Sequence, residues 1–254
     1  MLARRLIIIA VAIATSLGVI FTQLQPGQSL DPSQFLPTLQ AHSLPPHLSQ
    51  WQDTNSRGDY FEEIQPTPVG YLIWSQFPLK LYIERPVNAS LSASSQQRFQ
   101  EWVEAVLPAV EAWSAYLPLE VVEDSAAADI KIWRSRPPLI ASLDRENGKF
   151  QIPRARAAET RYEFYLRPTS NNATVLSHRC TIHLSPDQSN EYTAATARHE
   201  LGHALGIWGH SPVETDALYF SQVRNPPPIS PRDINTLKRI YQQPTRLGWA
   251  MPEN

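Results

Sequence analysis

Apolar residues follow three different regimes along the 254-residue chain. The first is a continuous run, Leu6 to Phe21 (LIIIAVAIATSLGVIF), preceded by Arg4 and Arg5. A positive segment followed by an apolar one is the order of an export signal. The Ala-x-Ala triplets at 10–12 and 12–14 lie inside the run and not behind it. Extended to Leu24, the run approaches the ~20 residues that span a bilayer core. Residues 1–24 are therefore either a signal peptide or an uncleaved anchor attached to the membrane through residues 6–24, with the arginines on the cytoplasmic side. Both forms make the remainder extracytoplasmic, secreted or membrane-anchored. The second regime has little period: residues 25–65 are rich in Gln, Pro and Ser and read as a spacer. Arg57-Gly58-Asp59 within it spells an integrin-type tripeptide, which short strings produce by chance, and reads as an exposed turn.

Periodic patterning marks the third regime, a domain expected over residues 66–246 with a tail at 247–254. Leu79, Leu81 and Ile83 alternate with Lys80, Tyr82 and Glu84, the period of a half-buried strand. Phe99, Trp102, Val103, Val106, Val110 and Trp113 recur at helical spacing, which predicts an amphipathic helix across Ser94 to Tyr116. Pro108 lies inside it, so the segment is one kinked rod or two shorter helices. Further strands are expected at Leu119–Val122, Ile130–Trp133, Arg161–Leu166 and Arg179–Leu184, and a helix from about Asn190. The order is that of an α+β fold.

Composition narrows the function. A hydrophobic share of 42% supports a core, and 22 basic against 24 acidic residues leave a formal charge of −2 with no basic run, so no nucleic-acid partner is expected. The single cysteine, Cys180, excludes an internal disulfide framework and a Cys-rich zinc knuckle, and reads as a buried, inert side chain.

Residues 199–210 read HELGHALGIWGH. Four residues apart on a helix, His199 and His203 project from one face and can hold one cation, with Glu200 beside it. Gly206 stands where the helix must end if the chain is to turn back, and His210 follows the turn. An H-E-x-x-H string alone arises by chance in roughly one chain in a hundred of this composition, and the added Gly and His make chance far rarer. Glu214 and Asp216 compete with His210 for the third ligand position, since a carboxylate also binds zinc; His210 is the preferred one. His178 and His183 read as solvent-facing strand histidines.

The segment HELGHALGIWGH resembles the H-E-x-x-H-x-x-G-x-x-H consensus of metzincin zinc proteases, and HELGHALG is similar to the matrixin branch. Asp216-Ala217-Leu218-Tyr219 occupies the place of that family's Met-turn, and SPRDINTLKRIY resembles its C-terminal helix. The resemblance covers about Val69 to Tyr241. It implies a zincin-like α+β fold: a twisted, mostly parallel sheet, a long helix, an active-site helix, and a small C-terminal subdomain ending in a helix. This sequence departs from the pattern twice. Gly209 stands where the third histidine is expected, with His210 one residue later, and Leu218 replaces the Met-turn methionine. Gly206 and Gly209 are expected to absorb the changed backbone path, and leucine to preserve an apolar floor. Family proenzymes often silence the zinc with a propeptide cysteine, and no cysteine precedes Cys180.

Three imidazoles on one catalytic Zn2+, His199, His203 and His210, leave the fourth position for water, with Glu200 as the general base of peptide-bond hydrolysis. The implied partner is a protein or peptide substrate, extended along the strand before the zinc helix, Arg179 to Leu184. Calcium binding is left open. The alternatives are a catalytically silent binding module of the same fold and a structural zinc protein.

Overall fold

A computed structural model describes residues 35–252 except 87–90, 140–141, 145–146, 152–155 and 170–171. The apolar segment 6–24 lies outside the described residues, and among those described no helix is long and apolar enough to cross a membrane. In chain order the elements begin with the short helix α1 (Pro46–Gln50), strand β1 (Leu79–Ile83) and the long helix α2 (Ala93–Ser114). Strands β2 (Leu119–Val121), β3 (Ile130–Trp133), β4 (Ser142–Asp144), β5 (Lys149–Gln151), β6 (Ala158–Pro168) and β7 (Thr174–Leu184) follow. Helices α3 (Asn190–Ala204) and α4 (Pro231–Tyr241) complete the fold.

Five strands form one sheet in the order β2-β1-β3-β7-β6, and β4 pairs with β5 separately. All pairings in the large sheet are parallel except β6 with β7, which is antiparallel. The period-2 pattern explains why the sheet has one wet face: Leu79, Leu81, Ile83, Ile130, Ile132, Cys180, Ile182 and Leu184 are buried, while Lys80, Tyr82, Lys131 and Trp133 are exposed or half-buried. Their buried face is covered by α2 and α3, which are tied together where the Trp113 indole donates to the Arg198 carbonyl at 2.8 Å.

Helix α2 is a single helix with Pro108 inside it. The lost backbone bond is tolerated because Val106, Ala109, Val110 and Trp113, on both sides of the proline, are pinned in the core. Strands β6 and β7 are each 11 residues long, extending beyond the expected limits into one hairpin with a continuous register from Ala158↔Leu184 to Pro168↔Thr174. The added ends of β6, Ala158–Thr160 and Arg167–Pro168, carry small, charged or proline residues that give a pattern little to read, and β4 and β5 are three residues each, too short to show a period.

The stretch expected as a spacer is not free over its second half. Leu48, Tyr60 and Ile64 are buried, and the docking partner is α4. Trp51 donates to the Asn235 side chain at 2.9 Å, and Lys238 donates to the Ser49 and Trp51 carbonyls. In the Arg57-Gly58-Asp59 turn, the Asp59 carboxylate is gripped by Arg239 at 2.8 and 3.0 Å and caps the Phe61 N–H, so it is committed to the fold. Isolated apolar anchors joined by irregular chain have no period to read, which is why packing begins earlier than residue 66. The expected tail behaves similarly. Leu247 is buried, Gly248 donates to Leu176, and Met251 donates to Thr174, so residues 247–251 lie along the start of β7.

Leu48→Ala is expected to lower unfolding free energy by about 2–5 kcal/mol, the cost of a core cavity, where a spacer position would change it by less than about 0.5. Chemical denaturation of the two proteins measures the difference.

Candidate metal centre

Helix α3 starts at Ser189, whose side chain accepts from the Tyr192 N–H, and ends at Leu205. Gly206 then turns the chain with φ +128°, and a Cβ there would stand 2.6 Å from the Leu72 carbonyl oxygen. Both conformation and space demand glycine. Gly209 is required on different grounds from those expected: it has no left-handed backbone, but a Cβ would run into the Glu63 carbonyl. The reversed chain brings His210 back over the helix.

His199, His203 and His210 meet there, each offering a nitrogen within 4.8 Å of the others. A carbonyl oxygen can only accept, which fixes two tautomers. His199 Nδ1–H donates to the Ala217 carbonyl at 2.9 Å, and His203 Nδ1–H donates to the Ile207 carbonyl at 2.6 Å. Both Nε2 atoms therefore carry lone pairs, and they face each other 3.1 Å apart. Two acceptors cannot satisfy each other, but a cation between them satisfies both. Nitrogens bound at ~2.0–2.1 Å in a tetrahedral zinc site are about 3.3 Å apart, close to the observed separation. Burial pushes His199 and His203 down to about 4 and lowers His210, which keeps all three imidazoles neutral near pH 7, the form that ligates a metal. The donor set fits zinc and other borderline divalent ions.

Neither competing carboxylate joins this cluster. Glu214 is exposed. Asp216 is buried and accepts from Arg232 at 2.9 Å and from Ser211. It braces the turn.

That turn is held from below. The Ala217 and Leu218 N–H groups donate to the Asp233 carboxylate at 2.9 and 3.3 Å, while the Ala217 carbonyl orients His199. Asp233 is fully buried at the third position of α4, where it forms a capping box with Ser230, and it also accepts from the Tyr60 hydroxyl at 2.6 Å. Burial raises its carboxyl above the ordinary range. Leu218 is fully buried and lies under Gly202, where an added Cβ would stand 2.6 Å from Leu218 Cδ2. The apolar floor expected at this position is present.

Glu200 is 8% exposed, and its Oε2 accepts from the Thr160 hydroxyl at 2.5 Å. Burial raises its carboxyl. The three histidines and Glu200 line a cleft of about 750 Å³. One wall is the start of β6, and the other is the 219–227 segment, which Arg198 ties to α3 through the Pro227 carbonyl. Strand β7 was expected to receive an extended substrate, but it is paired on both sides, by β3 and β6. Among the described residues, the free edge beside the cleft belongs to β6.

Of the remaining sequence candidates, His178 is buried, 3.8 Å from the Trp74 ring, with burial pushing it down to about 3. It is not solvent-facing. His183 is half-buried and pairs with the Ser135 hydroxyl at 2.8 Å. Neither belongs to the metal cluster. Cys180 is buried, and burial raises its thiol, in line with an inert role. Thr160, Tyr60 and Asp233 were not singled out by sequence. Thr160 and Glu200 are 40 residues apart, and Tyr60 and Asp233 are 173.

No protein-family model matches the chain, and no curated protein matches it.

His210→Ala is expected to weaken zinc retention at least about tenfold by loss of one of three ligands, with Glu214→Gln unchanged, as read by competition with a chromogenic chelator. For Leu218, replacement by Met is expected to cost less than about 1.5 kcal/mol and replacement by Ala about 2–5, measured by urea unfolding.

Proposed function

We propose that this protein is a zinc-dependent endopeptidase of the metzincin type, close to the matrixin branch. The observation that carries the reading is the convergence of two fixed lone pairs and a third imidazole beside a buried carboxylate that is not a ligand. Zinc, when bound, supplies Lewis acidity and lowers the pKa of water. His199, His203 and His210 would hold it, with Ala217 and Ile207 fixing the ring orientations. Glu200 accepts a proton from the attacking water and delivers it to the amide nitrogen of the departing amine. An extended peptide would add to the free edge of β6, whose backbone groups pair with any sequence, so the edge orients the scissile bond while the cleft walls select side chains. The sheet order, with four parallel strands and one antiparallel edge strand beside the cleft, supports the metzincin assignment. Residues 1–24 would deliver the domain across a membrane, placing the substrate, a protein or peptide, on the far side.

The purified protein is expected to contain one zinc per chain by elemental analysis and to cleave members of a mixed peptide library. Glu200→Gln should keep the metal and lower kcat at least about a hundredfold, because the amide keeps the shape and accepts no proton. Zinc without cleavage in the parent would leave a silent binding module or a structural zinc protein.

A further inference from the structure

Glu200 sits in an unusual electrostatic position for a base. Its carboxylate is buried, yet among the described residues it has one protein hydrogen-bond partner, Thr160. The Thr160 hydroxyl lies 2.5 Å from Oε2 and 3.1 Å from the Glu200 carbonyl oxygen, and the residue is itself 9% exposed. Thr160 and Ala158 are the buried positions at the start of β6, while Glu159 and Arg161 between and beyond them pair with each other at 2.8 Å. Side-chain alternation on the strand thus fixes Thr160 toward α3.

We propose that Thr160 is a positioning residue for Glu200: its hydroxyl occupies one carboxylate oxygen and leaves the other, Oε1, as the proton acceptor in the cleft. The inference rests on the peptidase reading. A carboxylate free to rotate presents either oxygen in many orientations, whereas a charge-assisted hydrogen bond selects one. Misorientation at a reacting group is costly, because proton transfer requires the acceptor within hydrogen-bond reach of the attacking water. The placement on β6 adds a second consequence. Thr160 pairs in register with Ile182 of the neighbouring β7, and the opposite edge of its strand is the free one. The strand that would set the substrate's register therefore also sets the orientation of the base, so docking and proton transfer share one rigid reference.

The test compares the zinc-loaded parent with Thr160→Val and Thr160→Ser. Valine keeps the shape and removes the donor. Thr160→Val is expected to retain one zinc and lower kcat about tenfold or more, with KM within about twofold, and Thr160→Ser to recover most of the loss. A second readout needs no activity: in the metal-free protein, Thr160→Val should lower Tm less in the Glu200→Ala background than in the parent, since the hydrogen bond is already gone. Unchanged kcat in Thr160→Val, a serine variant as slow as the valine one, or additive Tm shifts would each overturn the proposal. If Thr160→Val does not fold, the serine variant beside Thr160→Ala carries the same comparison. A parent that binds zinc and cleaves nothing defeats the peptidase reading instead, while the Tm cycle still decides whether Thr160 holds Glu200.

Discussion

Two imidazole lone pairs aimed at one point are repulsive unless something positive lies between them, and the structure around α3 is arranged to keep them aimed there. His199 is held by the Ala217 carbonyl and His203 by the Ile207 carbonyl. Each carbonyl belongs to a turn that must be rigid for the imidazole to be rigid. The Ile207 turn depends on Gly206, where any side chain would meet Leu72. The Ala217 turn depends on Asp233, a fully buried carboxylate that accepts from two of its N–H groups. A buried acid with four donors around it is a strong clamp, since removing any partner leaves charge without compensation.

Much of the fold can be understood as support for that clamp. Helix α4 supplies Asp233 and is itself anchored by residues 46–65, through Trp51 to Asn235, Asp59 to Arg239, and Tyr60 to Asp233. The same N-terminal segment passes so close to Gly209 that no side chain fits there. Chain that carries few regular elements thus connects the outside of the domain to the orientation of His199. On the other side, the β6–β7 hairpin provides both a free edge beside the cleft and the hydroxyl that contacts Glu200.

Burial is the common electrostatic influence. It holds the three histidines neutral, raises Glu200 and Asp233, and holds the Cys180 thiol protonated. Low dielectric favours uncharged imidazoles and sharpens the cost of every unpaired carboxylate oxygen. Within that setting Thr160 matters more than its size suggests.

The sequence by itself determined whatever depends on local spacing. His199, His203 and Glu200 lie within one turn of a helix, Gly206 ends that helix, and the alternations at Leu79–Ile83 and Ile130–Trp133 become strands with those limits. Helical periodicity likewise placed α2. Only the tertiary structure decided the rest, because the relevant partners are distant in sequence. Thr160 and Glu200 are 40 residues apart, and Tyr60 and Asp233 are 173. Which strand has a free edge follows from pairing order, which no single strand's pattern encodes, and so β6 took the place expected of β7. His178 shares the face of the buried Cys180, Ile182 and Leu184, and its burial follows once β7 extends past the expected start at Arg179. Residues 46–65 escaped a pattern reading for a related reason: docking through isolated anchors such as Leu48 and Tyr60 leaves no period, and only the surface of α4 gives those residues their meaning.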